Sequence, residues 1–63
     1  MTLIEMGMLC LPENELLIVR AYYYDGYTQA EIAKQMNTSQ PTTYRLIARA
    51  TAHLRNIIAR LDA

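Results

Sequence analysis

Little in this chain is suited to covalent or metal chemistry. It has one cysteine, Cys10, so no internal disulfide can staple it, and one histidine, His53. That pair cannot complete a protein-only zinc site, which takes three or four side-chain ligands. Trp and Phe are absent, and only two glycines and two prolines interrupt the chain. There is no glycine-rich phosphate loop, no acid paired with a base and no activated nucleophile, so neither an enzyme nor a bound cofactor is expected. No apolar run reaches the roughly 18 residues of a membrane span. The opening MTLIEMGMLCL is apolar but has no basic leader or evident cleavage site, and is not read as a secretion signal. A lone cysteine suits a reducing, cytoplasmic setting.

What is present concentrates in TQAEIAKQMNTSQPTTYRLIAR, residues 28–49. Thr28 and Glu31 have the spacing of a capping box, in which hydroxyl and carboxylate each satisfy a free backbone N–H at a helix start. Ile32, Ala33 and Met36 then mark one apolar face. Asn37 stands where the helix must stop, and asparagine tolerates the left-handed conformation of such a stop. Ser39 restarts the chain as an N-cap, with Pro41 in the first turn, where a missing N–H costs nothing. Thr43, Leu46, Ile47 and Ala50 supply the inner side of the second helix. Two short helices about a tight turn predict a helix-turn-helix, whose physical use is to set its second helix in a DNA major groove.

The rest of the chain reads as support. At 63 residues it is one domain at most, near the lower size limit for unaided folding. Residues 1–10 form an N-terminal segment: Thr2 and Glu5 have capping-box spacing, and Ile4, Met8 and Leu11 can share a face. A short helix and an unstructured apolar tail are both open, because Gly7 costs a helix ~1 kcal/mol relative to Ala. A first long helix is expected over 12–25, with Glu13 and Glu15 in its acidic first turn. Its buried face is read as Leu16, Val19 and Tyr23 beside Leu17, Ala21 and Tyr24. Consecutive tyrosines on a helix point to different sides, so Tyr23 and Tyr24 are expected in the core rather than on a stacking platform. Helices over 28–36 and 40–61 complete an all-α domain of three to four helices with a long C-terminal helix. Ile47, Ala50, Leu54, Ile57 and Leu61 recur at 3-4-3-4 spacing, and Ile58 widens the stripe. Its last two turns need cover, either from the N-terminal segment or from a second copy of the chain.

Net charge is zero, but it is unevenly placed. Residues 1–31 hold five acids against Arg20 alone, a balance of −4. Residues 32–61 hold Lys34, Arg45, Arg49, Arg55 and Arg60 with no acid, a balance of +5. The positive end coincides with the expected reading helix, which favours DNA contact over chance segregation.

From residue 11 to about residue 60 the chain resembles region 4 of the sigma-70 class of transcription initiation factors, and more loosely the LuxR-type DNA-binding domain. The resemblance rests on Leu11-Pro12-Glu13, on Asp25-Gly26 after the first long helix, and on Thr28 with Glu31-Ile32-Ala33. It continues through Ser39 and Thr42 to Arg49-Ala50 and Leu54-Arg55. The chain departs from the family pattern at Asn37, where a glycine is usual, at Thr38 and Thr43, where a β-branched apolar residue is usual, and at Leu46, Thr51 and Ala52, where basic residues are usual.

The resemblance implies double-stranded DNA as partner. Ser39, Gln40, Tyr44 and Arg45 would face base edges, Gln suiting adenine and Arg guanine. Thr28, Lys34, Thr42 and Arg49 would touch phosphates. For Ser39 a helix cap alone is an equal reading, for Arg49 a solvated charge is the alternative, and His53 is placed on the surface without a role. The expected function is a small stand-alone transcriptional regulator, repressor or activator, lacking the parts that open promoters. It would act as a homodimer through Leu54, Ile57, Ile58 and Leu61. The alternative is a protein-interaction module that docks on RNA polymerase or a sigma factor, using Ile4, Met6 and Met8 more than Arg45 and Gln40.

Overall fold

Hydroxyl side chains set three of the four helix starts. In the computed structural model, which describes residues 1–63, Thr2 opens α1 (Leu3–Leu9), Thr28 opens α3 (Gln29–Met36) and Ser39 opens α4 (Gln40–Leu61). Each accepts the backbone N–H three residues on, from Glu5 at 3.1 Å, Glu31 at 3.1 Å and Thr42 at 3.2 Å. The first two are complete capping boxes, the carboxylates accepting the Thr2 and Thr28 N–H at 3.0 and 2.8 Å. Helix α2 (Glu13–Val19) starts instead at Pro12, with Glu13 and Glu15 in its first turn. The N-terminal segment is thus a helix, not a tail.

Helix α2 does not run on as an α-helix to Tyr24. Arg20–Tyr24 form a π-helical turn, closed by the Asp25 N–H donating to the Arg20 carbonyl at 3.0 Å, five residues back. Gly26, at φ 77°, then reverses the chain. The wider turn shifts the side chains within it, and the expected buried face is corrected. Ile18 and Val19 are buried and Tyr22 is half-buried, whereas Leu17, Tyr23 and Tyr24 are 58%, 55% and 56% exposed. Tyr23 lies edge-on to Tyr22, and its hydroxyl oxygen is 3.3 Å from that of Thr51.

Helix α4 is the spine. Its first half packs Ile47 against Ile18 of α2 and Ile32 of α3, with Ala21, Tyr22 and Leu46 around them. Its second half packs Ala50 and Leu54 against Val19, Leu11 and Met8, with Leu16, Ile57 and Ile58 at the edge. A Cβ on Gly7 would stand 2.9 Å from both Ile58 Cγ1 and Leu54 Cδ1, so α1 lies directly on α4 and only glycine fits the contact. The open choice of cover for the end of α4 is therefore filled within the chain by α1. Leu54, assigned above to a contact between copies, is 8% exposed beneath α1; Ile57 and Ile58 are half-buried and Leu61 is 40% exposed. A further tie joins α2 to α4: His53 Nδ1 lies 2.6 Å from Glu15 Oε1 and donates its proton to that carboxylate.

Candidate nucleic-acid interface

The turn before α4 is built from local bonds. Asn37 takes left-handed angles, φ 55° and ψ 48°. This lets its own N–H reach the Lys34 carbonyl at 3.2 Å and the Thr38 N–H reach the Ala33 carbonyl at 2.9 Å, which satisfies the end of α3. Ala33 is buried at the crossing. Thr43, with no exposure, donates its hydroxyl to the Ser39 carbonyl at 2.9 Å, so a polar side chain sits in the core fully satisfied.

With Thr43, Ile47 and Ala50 inward, helical geometry fixes the outward face. Gln40, Pro41, Tyr44, Arg45, Ala48, Arg49 and Ala52 are all exposed, Tyr44 at 59%. Pro41, Arg45, Ala48 and Ala52 recur at 4-3-4 spacing and form its centre line, with Tyr44 on one flank and Arg49 on the other. The sequence reading did not single out Ala48. The same period that placed Ile47 and Ala50 inside would have placed it outside, between the two arginines. Small residues there leave room for α4 to enter a groove, while the arginines reach past them.

His53 has Glu15 as its carboxylate partner, whereas Lys34, Arg45, Arg49, Arg55 and Arg60 have none. Their charge is free for an external anion. Lys34 stands exposed in the last turn of α3, next to the turn.

Other expected contact residues are already engaged. Ser39 donates its hydroxyl to Thr42 Oγ1 at 2.9 Å while accepting the Thr42 N–H, so its donor serves the cap. Thr42 keeps its own proton free. Thr28 accepts the Glu31 N–H, and the Glu31 carboxylate stands beside it. That carboxyl is held below its ordinary pKa, chiefly by the Thr28 backbone N–H and then by its hydroxyl. A negative charge at this point works against a phosphate on Thr28. The structure thus leaves Gln40, Tyr44, Arg45 and Arg49 on the exposed side of α4, with Thr42 half-buried at its margin and Lys34 at its border, and places Thr28 at the far end of α3.

Fold and exposed face define a helix-turn-helix domain of the DNA-binding type. Comparison with known proteins agrees. The sigma-70, region 4 family profile matches residues 7–56, and the chain belongs to that family. It is 41% identical over 46 residues to an RNA polymerase sigma-F factor of Kitasatospora aureofaciens, a match covering 73% of this chain and 16% of that protein. The chain therefore spans a small part of that relative's length. No solved structure matches.

Proposed function

We propose that this chain is a small transcriptional regulator that reads duplex DNA with the N-terminal half of α4, acting in the cytoplasm as a pair of copies that represses or activates a nearby promoter. The observation that carries this is the pair Arg45 and Arg49, exposed, free of carboxylates and flanking Ala48 on a helix whose inner side is locked in the core. Arg45, with Gln40 and Tyr44, faces base edges, while Arg49, Lys34 and Thr42 face phosphates. Ser39 acts through its cap rather than on a base.

Selection from random duplex DNA tests this, followed by binding across a salt series. A monomer contacting about three phosphates gives a log–log salt slope near −3, and two copies about twice that. A slope near zero with no selected site would rule DNA reading out.

A second reading has its own support. The relative's name ties it to RNA polymerase, and this chain leaves apolar side chains in water on two sides: Leu3, Ile4, Met6 and Leu9 on α1, and Leu17 and Met36 beside the groove between α2 and α3. A docking module would use those surfaces. Met8, named with them from the sequence, is buried and cannot take part. Loss of binding to purified polymerase on substituting Met6 or Leu17, with no effect of Arg45, would favour this reading.

A further inference from the structure

Helix α1 carries apolar side chains on its outward side as well as where it meets α4. Gly7, Met8 and the following Leu11 are buried, yet Leu3, Ile4, Met6 and Leu9 remain 38%, 49%, 40% and 66% exposed. The only charge on the helix, Glu5, is bound into its own capping box. One turn beyond the Gly7–Ile58 contact, Leu61 adds 40% exposure at the end of α4. An apolar stripe on a helix is stable when it is covered, and the outward stripe of α1 has no cover within the chain. We infer that the outer face of α1, with Leu61, is where two copies of this chain meet, placing the pair's contact at the opposite end of α4 from its reading face. This rests on the proposed DNA reading for its purpose, though not for the contact itself.

Area and charge favour a second copy as the occupant. The five exposed side chains leave on the order of 450 Å² in water, within the ~300–600 Å² of the largest apolar patch on an ordinary monomer, which is often functional. Two such patches face to face remove about 900 Å² of apolar surface before any polar rim is counted, close to the ~1,000 Å² that a specific interface should clear. The chain carries zero net charge and an isoelectric point near 6.5, so copies do not repel one another at long range as strongly basic domains do. Both signs occur near the patch: Glu5, Arg20 and Asp25 line the groove on the α2 side, and Arg55 and Arg60 are exposed on the half of α4 that packs against α1. A self-complementary surface needs both.

From Ile58, against Gly7, to Thr42 at the start of α4 is about 24 Å of helix at 1.5 Å per residue. A two-fold axis at α1 then sets the reading ends apart by a span that the angle between the two α4 axes decides, and the spacing of the selected half-sites reads that angle.

The test uses the full chain. Met6→Glu with Leu9→Glu changes two exposed positions of α1; Leu17→Glu is a control on the other apolar surface. Sedimentation across the micromolar range is expected to give a dimer for the parent and the control. The double variant should be a monomer with unchanged circular dichroism and melting. On duplexes with two half-sites at the selected spacing, the parent should bind roughly 100-fold more tightly than on one half-site; the double variant should not distinguish them. A parent that stays monomeric, a double variant that stays dimeric, or a dimer broken by Leu17→Glu overturns the proposal. So does a monomeric parent whose α1 face binds polymerase instead. If the parent dimerises as expected yet binds no duplex, the DNA reading has failed and the contact stands.

Discussion

The two halves of α4 lie in different surroundings. Residues 40–49 touch the rest of the chain along a narrow line, Thr43 and Ile47 with Leu46 beside them, and expose Gln40, Tyr44, Arg45, Ala48 and Arg49. Residues 50–61 are flanked by α2 and α1 together, with Ala50 at no exposure, Leu54 at 8%, and Gly7 admitting α1 to direct contact. One half is held and the other offers itself. A reading helix supported only by α3, eight residues long, would have little to fix its angle. Continuing it into a second core makes the whole rod a lever anchored at the far end. Substitutions in the two halves should therefore fall in different measurements.

The largest effect is expected from breaking the anchor. Leu54→Ala removes a buried side chain from the cluster of Met8, Leu11, Val19 and Ala50, and should cost ~2–4 kcal/mol in denaturant unfolding. For a chain this small that is a large share of its stability. Binding measured on the fraction still folded should change little. If Leu54→Ala instead leaves the unfolding midpoint within error, α1 and α4 are not packed as described.

Next comes the reading half, where stability and affinity should separate the other way. Arg45→Ala should leave unfolding within about 0.5 kcal/mol of the parent and cost ~1–3 kcal/mol on the selected duplex, relaxing preference at one base position. Arg49→Ala should weaken binding on all duplexes alike and reduce the salt slope by about 1. Equal losses for both on selected and random DNA would remove the distinction between base and phosphate contact.

How far the sequence disclosed this division depended on how local each feature is. Caps are set within four residues, and Thr2 with Glu5, Thr28 with Glu31, Ser39 and Asn37 all stand where the sequence put them. The inward positions of α4 followed from its period. What stayed hidden needed information across the chain. The π-helical turn at Arg20–Tyr24 has no signature in the apolar spacing, so Tyr23 and Tyr24 were read on the wrong side, whereas Leu17, ahead of the turn, lies opposite Leu16, Ile18 and Val19 by ordinary helical spacing. Gly7 lowered the expectation of a helix because its benefit is the approach to Leu54 and Ile58, more than 40 residues away. His53 found Glu15 at a separation of 38 residues. The charge split marked the half of the chain whose basic side chains have no carboxylate partner, but not which hydroxyls near them were already bound.

A smaller effect should come from Asn37, the left-handed residue that ends α3. At φ 55° the position suits glycine, the residue usual there in the family. Asn37→Gly is expected to leave stability within about 0.5 kcal/mol. Asn37→Val forces a β-branched side chain into the left-handed region and should cost ~1–2 kcal/mol, with affinity falling too because α3 and α4 no longer meet at the same angle. An affinity that survives Asn37→Val would mean the turn does not position the reading helix.

The smallest effect distinguishes the capping boxes on the two sides of the molecule. Glu5 on α1 and Glu31 on α3 are both held below the ordinary carboxyl pKa, first by the backbone N–H of their cap threonine and then by its hydroxyl. A depressed folded-state value means each box contributes fully above the unfolded value, about pH 4.3, and loses its contribution as pH falls through the lower folded one. Protonation removes the charge that faces the helix N-terminus and weakens the acceptor. Both groups are fully exposed, so each change is slight and is best read residue by residue, from amide exchange in α1 and in α3 between neutral pH and pH about 3. Glutamine keeps an acceptor oxygen without the titration, and remains compatible with a capping box. Glu31→Gln should therefore flatten the acid response of α3 alone, and Glu5→Gln that of α1 alone. If Glu5→Gln also flattens the response of α3, the two ends of α4 open as one unit, and the anchored and reading halves are not separable in the way the other variants require.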